Sequence, residues 1–273
     1  MQKLLIICCI ISNAILLSGC SKEHEPFPAP PPVPTPQGAG PLLDSMVWSQ
    51  LATTTYFAYR ADSLQDKITT VSSYVSDTVR FTYNGRQLSH ITNNRLNRSS
   101  DYFYNAAGKI TLITMSDYGG NGHFRFAYGY DGAGRVNSLV YSLEQGTVTE
   151  KLYTATYQYD ASGFLSAVNG LTEDGTIVTL TIDGYTEECN FNPWLFAGPV
   201  DPSEVLEIDN LPFLQTLKRL PAKITKTATN AKFIRQLTTT LQDHNLSRMV
   251  TARDFPLNPT LNYQAEVNLF YRH

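Results

Sequence analysis

The chain is poor in cysteine, in charge and in long apolar runs, and each shortage excludes a class of protein. Only four of the 273 residues are cysteine. Cys8 and Cys9 fall in an N-terminal stretch that reads as an export signal, and Cys20 ends it, so Cys189 is the one thiol left for the body of the chain. An internal disulfide framework is excluded on that count. No patterned His or Asn accompanies Cys189, so it reads as a structural thiol rather than a nucleophile. The five histidines, His24, His90, His123, His244 and His273, show no metal-ligand spacing. The sequence has no GxSxG, no HExxH and no phosphate loop, so neither a cofactor nor a metal is expected, and no enzyme. Lys and Arg number 21 against 24 Asp and Glu, a net charge of −3 that becomes one unit more negative once Lys3 is removed. Nucleic acid would demand a basic face, so it is not expected as a partner. The longest apolar run, Leu4 to Leu17, is shorter than the roughly 18 to 20 residues a spanning helix needs.

What is present begins with an address. Lys3 followed by that apolar run and by Leu17 Ser18 Gly19 Cys20 has the layout of a cleaved signal peptide over 1–19. The last four residues resemble the bacterial lipobox, which implies that Cys20 is acylated and becomes the new N-terminus. Lipid on Cys20 would hold a soluble polypeptide on a membrane. Residues 20–41 form a tether dense in proline, from Pro26 to Pro41, which favours an extended, semi-rigid stalk. Ser21 Lys22 Glu23 His24 Glu25, short and acidic, is similar to the signals that send Bacteroidetes-type lipoproteins to the cell surface. A plain tether facing the periplasm is the alternative.

Residues 42–273 read as a single domain, because no second linker divides them. With 42% apolar and 16% charged residues, this region has enough apolar material for a sizeable core. One phrase recurs through it: Phe81 Thr82 Tyr83 Asn84 Gly85 Arg86, then Tyr102 to Lys109, Tyr128 to Arg135 and Tyr157 to Phe164. In Phe124 to Tyr130 aromatics stand at every second residue, which puts Phe124, Phe126, Tyr128 and Tyr130 on one strand face. Asn84, Asn105, Asp131 and Asp160 are expected to start a turn by accepting backbone hydrogen bonds. Gly85, Gly108, Gly134 and Gly163 supply the left-handed position. The repeat is then a hairpin. Further strands follow at Thr176 to Asp183, Lys223 to Thr229, Phe233 to Leu241, Ser247 to Arg253 and Tyr263 to Tyr271. The expected fold is all-β: a long antiparallel up-and-down meander of about 14 to 16 strands, curled or partly closed into a barrel-like sheet because twist accumulates.

Two features interrupt that pattern. After each glycine, apolar residues recur three apart, as in Leu88 and Ile91, Ile110 and Ile113, Val136 and Leu139, and Leu165 and Val168. A regular strand would send them to opposite faces. Either both faces are covered or a bulge separates them. Prolines and glycine also break the strands between about Asn190 and Pro221. Within that stretch one short helix is expected near 211–220, capped by Asn210 with Pro212 in its first turn. It reads as a plug for the curled sheet, with a ligand-gating lid as the alternative.

The YxY[DN]xxG[RK] copies resemble the YD repeats of the Rhs family. Together with the lipobox, the proline tether, the Asn192 Pro193 break and the Leu220 Pro221 Ala222 Lys223 Ile224 Thr225 segment, they resemble the DUF4595-type lipoproteins of Bacteroidetes from about Thr53 onward. That resemblance implies a porin-like β fold and no catalytic residue. The leading functional expectation is a non-catalytic lipoprotein at the outer membrane, facing the cell surface or the periplasm, that binds a glycan or a protein. Tyr102, Tyr104, Tyr128, Tyr130, Tyr157, Tyr159 and Trp194 are the candidate stacking residues. A spacer without a ligand is the alternative, ahead of a glycan-acting hydrolase using Asp131 and Asp160 or an integral outer-membrane barrel.

Overall fold

A computed structural model describes residues 41–50, 52–74, 76–116, 122–196 and 208–272. The signal segment, Cys20 and the tether up to residue 40 lie outside the described residues. Strands β1 (Leu43–Trp48), β2 (Thr53–Tyr59), β3 (Gln65–Val71), β4 (Ser76–Asn84), β5 (Gln87–Asn93) and β6 (Arg98–Tyr104) open the chain. β7 (Ile110–Ser116), β8 (His123–Tyr130), β9 (Val136–Gln145), β10 (Val148–Tyr159), β11 (Leu165–Thr172) and β12 (Ile177–Ile182) continue the meander. After β13 (Tyr185–Glu188), helix α1 (Leu211–Leu214) and β14 (Arg219–Pro221), it resumes with β15 (Lys223–Ala228), β16 (Ala231–Gln242), β17 (Asn245–Asp254) and β18 (Tyr263–Tyr271).

Sixteen of these strands form one closed antiparallel barrel; β13 and β14 pair separately. Closure is complete, because β1 pairs with β18 in the register Val47↔Asn268 and Trp48↔Val267. A closed barrel leaves no strand edge unpaired, which removes the aggregation hazard of a long meander.

Bulges resolve the three-residue spacing. Phe103 pairs with Leu112 and Tyr104 with Ile110, which leaves Thr111 as an extra residue on β7. The same shift leaves out Ser89, Asn137 and Ser166 in the other copies. One extra residue restores the inward direction, so Ile110 and Ile113, like Val136 and Leu139, are all buried. The bulge residue also makes a local bond. Ser89, Thr111 and Ser166 donate their hydroxyls to Thr82 O, Phe103 O and Gln158 O at 3.1, 3.4 and 3.1 Å.

A tyrosine hydroxyl covers the carbonyl just before each bulge. Tyr104 donates to Leu88 O at 2.7 Å, Tyr130 to Ile110 O at 2.6 Å, Tyr159 to Val136 O at 2.7 Å and Tyr185 to Leu165 O at 2.7 Å. Tyr59 on Leu43 O and Tyr271 on Leu246 O, at 2.8 and 2.7 Å, extend the ladder to the strands that close the barrel. Each repeat thus bonds to the one before it. Tyr83 breaks the series, since its buried hydroxyl has no partner among the described residues.

The lumen is filled. Phe57, Phe81, Ile113, Phe126, Leu139 and Leu180 are buried along the wall. Between β13 and β14 the chain turns inward and packs Trp194, Ile208, Leu211 and Phe213 against them. Trp194 meets Phe81 edge-on at 4.7 Å between ring centroids. The expected helix is shorter than its periodicity suggested. Asn210 caps it through a 3.0 Å bond from Phe213 N, but it ends at Leu214. Leu220 and Pro221 lie in a strand instead, because pairing with β13 outweighs local helical preference. With Phe213 and Leu211 almost fully buried, this segment is a plug inside the barrel rather than a surface flap.

Outward positions are mostly polar. Threonines line the outer faces of β12 and β15, where Thr179 pairs with Thr227 and Thr181 with Thr225. A hydrogen bond joins His90 and Asp101 across the outer wall at 2.7 Å, and ion pairs cross it at Arg125–Glu144, also 2.7 Å, and at Arg248–Glu266.

Candidate functional site

Turn chemistry comes first, because the repeat supplies most of the candidate residues. Asn105 Oδ1 accepts from Ala107 N and Lys109 N at 3.0 Å each, and Asp160 Oδ1 from Ser162 N and Phe164 N at 2.9 Å each. Asp131 Oδ1 accepts from Arg135 N at 2.8 Å, and its other oxygen binds the Arg135 guanidinium. The backbone bond from Arg135, then its side chain, lowers the Asp131 carboxyl below its usual value. Both carboxylates are thus engaged by their own turns. Asn84 differs from the expectation. Only Gly85 and Arg86 separate the strands there, so Asn84 pairs directly with Gln87 as the last residue of β4. Gly85, Gly108, Gly134 and Gly163 all have positive φ, between 59° and 84°.

After Gly108, Gly134 and Gly163 the next residue covers a tyrosine of the following hairpin, whereas Arg86 after Gly85 is exposed. Lys109 lies 5.2 Å from the Tyr130 ring centroid and Arg135 4.3 Å from that of Tyr159. Where the fourth copy has Phe164 instead of a base, that ring packs on Tyr185 at 4.9 Å. Lys109 Nζ also donates to Gly134 O at 2.6 Å. The basic position of the motif is therefore a cation-to-ring clamp between hairpins.

The candidate stacking aromatics are occupied by protein. Tyr102, Tyr128, Tyr157 and Trp194 are buried in the lumen, and Tyr104, Tyr130 and Tyr159 form the hydroxyl ladder described above. Burial pushes the Tyr130 and Tyr159 hydroxyls up to about 12. Alternation places these rings inward, so the outer wall does not present them. Cys189 is buried, and that burial raises its thiol to about 11, which keeps it protonated and unreactive at neutral pH.

The lumen packing is interrupted by a cavity of about 120 Å³ between the plug and the β16–β17 wall. Leu195, Phe196, Leu214 and Leu217 face it from the plug; Leu237, Met249, Thr251 and Trp48 face it from the wall. Two arginines also line it, and they stand directly opposite each other in the pairing of β16 with β17. Like charges so placed repel. Asp209 from the plug neutralises one of them, binding Arg235 through two bonds of 2.6 and 3.0 Å. Arg253 has no such partner among the described residues, and its Nε is buried without a hydrogen bond. Its guanidinium is held between Phe233 and Tyr263, at 5.9 and 5.3 Å from their ring centroids. The result is an apolar cavity whose wall carries one uncompensated, preoriented cation.

Sequence reasoning took this region as plain strand and missed Arg253, Arg235, Asp209 and Trp48. A signal was there: past the bulge at Ser247, alternation sends Met249, Thr251 and Arg253 to the same inner face as the core. An arginine on an apolar face calls for a partner or a ligand.

The fold is that of a β-barrel with porin-like structural neighbours. A porin-like protein from Bacteroides uniformis superposes with a TM-score of 0.56 over 84% of this chain and 95% of that one, at 16% identity. A porin-like protein from Bacteroides vulgatus gives a TM-score of 0.45 over 85% and 99%, at 12% identity. The Photorhabdus luminescens Tc holotoxin pore is matched over 78% of this chain and 8% of that one, with a TM-score of 0.30 and 15% identity. No family model matches the chain, and no curated protein matches it.

Proposed function

We propose that this protein is a DUF4595-type, YD-repeat lipoprotein of the outer membrane that binds a ligand and neither conducts nor catalyses. Cys20 carries the lipid, residues 20–41 act as the stalk, and the barrel stands off the bilayer. The single observation that carries the binding role is the filled lumen, broken by a cavity whose wall holds a cation without an acidic partner among the described residues. The filled lumen argues against a channel, and the outer wall argues against a membrane span. A lipid-facing barrel needs an apolar band roughly 25 Å tall. Across β6 to β12 the outward apolar residues Phe103, Leu112, Ala127, Val140, Leu171 and Ile177 stand in a row one residue high, interrupted by Thr154, and the exposed Tyr56, Val71 and Phe270 stand apart from it rather than widening it into a band. Asp131 and Asp160, the carboxylates a glycan hydrolase would have used, are held by their turns.

Detergent phase partitioning of the full chain tests the anchor. The wild-type protein is expected in the detergent phase with incorporated fatty acid, and Cys20→Ala in the aqueous phase without it. Detergent partitioning by both would mean that the barrel itself enters the membrane.

A second reading is favoured by one pair of exposed aromatics. Phe270 and Tyr56, each 52% exposed, flank Ser45 across β18, β1 and β2. Two strand spacings put them roughly 10 Å apart, a span suited to stacking alternate sugars of a glycan. Glycan-array binding that is lost in Tyr56→Ala together with Phe270→Ala would select this reading.

A further inference from the structure

The geometry points to a ligand class for the cavity, an inference that rests on the reading that the barrel binds rather than conducts. We propose that the cavity takes a compact monocarboxylate with an apolar body about one ring in size. Its carboxylate sits on Arg253, and its body lies against Leu214, Leu237 and Met249.

Size sets the first limit. An apolar cavity of about 150 Å³ accepts a benzene-sized guest. At about 120 Å³, this one holds a group the size of a small ring or a short branched chain. Charge sets the second. Of the two facing guanidiniums, Asp209 neutralises Arg235, which leaves a single positive charge at Arg253. One carboxylate balances it. A phosphate dianion would bring a second charge with no counter-ion into an apolar wall. Geometry sets the third: a guanidinium offers a planar fork matched to two carboxylate oxygens, and here the fork is held between the rings of Phe233 and Tyr263. Thr251, on the same inner face two residues away, adds a hydroxyl to the lining.

Trp48 lines the cavity and provides the readout. The full-length protein would be titrated with phenylacetate, isovalerate and the neutral phenylacetamide, following calorimetric heat and tryptophan emission. Saturable binding of phenylacetate at one site per chain is expected, with phenylacetamide at least about tenfold weaker, the worth of a charge-assisted bond. Arg253→Gln should remove that preference while leaving the fold, checked by circular dichroism, intact. Leu237→Phe, which fills the cavity without touching the cation, should abolish binding of both compounds and keeps the test decisive if the arginine variant does not fold. Equal binding of phenylacetate and phenylacetamide, or a preference that survives Arg253→Gln, overturns the role of the cation. Absence of binding by all three compounds overturns the site. Neither result touches the anchoring and outer-membrane reading, which the partitioning experiment decides separately.

Discussion

Raising the pH should dissolve the tyrosine ladder, and the size of the effect follows from the structure. Burial pushes the hydroxyls of Tyr59, Tyr130 and Tyr159 up to about 12, against an ordinary value of 10.0. Each is also the donor to a carbonyl beside a bulge, and a phenolate cannot donate. The folded state therefore holds protons that the unfolded chain has released. Stability from these groups is complete below pH 10 and is lost as the pH climbs through about 12, where the folded hydroxyls ionise. A two-unit shift corresponds to about 2.7 kcal/mol per group. Because the rings are only partly buried, solvent screening reduces that to about 1.4 kcal/mol each, or about 4 kcal/mol for the three together. Native stabilities are about 5 to 15 kcal/mol, so the barrel should unfold cooperatively between pH 10 and 12 at room temperature or with modest urea. Tyrosinate absorbance and far-ultraviolet circular dichroism, recorded in parallel, check this. The expected result is that a block of tyrosines ionises only as the strand signal disappears, whereas the chain in guanidinium titrates all of them near 10. If that block ionised near pH 10 with the strand signal intact, the ladder would not be holding the fold.

Two further substitutions separate the ladder from its surroundings. Tyr130→Phe should destabilise the barrel by about 1 kcal/mol or more, because Ile110 O is left without its donor. Tyr83→Phe removes a buried hydroxyl that has no partner among the described residues, so urea midpoints should show little change or a gain. Gly134→Ala should cost about 1 to 2 kcal/mol, since φ is +79° there and a Cβ would displace the Lys109 ammonium from Gly134 O. Thermal melts of that variant beside Gly132→Ala, where a Cβ meets open space, isolate the effect.

The parts of this architecture that were legible in the sequence are those decided within a few residues. Asn105, Asp131 and Asp160 each bond to backbone two to four positions away, so turn composition alone located the hairpins. Alternation of Phe124, Phe126, Tyr128 and Tyr130 fixed which residues share a face. Local reasoning reached a limit at Leu88 and Ile91, where the same spacing fitted a bulge or two covered faces. The structure has the bulge, and Tyr104 reaches from the next repeat to bond the Leu88 carbonyl beside it. It failed at Leu220, where helical spacing was genuine but β13 offered a strand partner. The candidate tyrosines were correctly placed on one face; which side of the wall that face occupies is set by curvature, and the sheet curls around its apolar side.

The sequence by itself determined the hairpin as the unit of construction, the direction of its side chains and the all-β class, because turns and alternation are short-range. Closure of β1 on β18, the inward passage of the plug and the pairing of Asp209 with one arginine but not the other were decided only by the tertiary structure. Those contacts join residues far apart in the chain. Their energies depend on burial and on which charges end up facing one another, quantities that exist only once the barrel has closed.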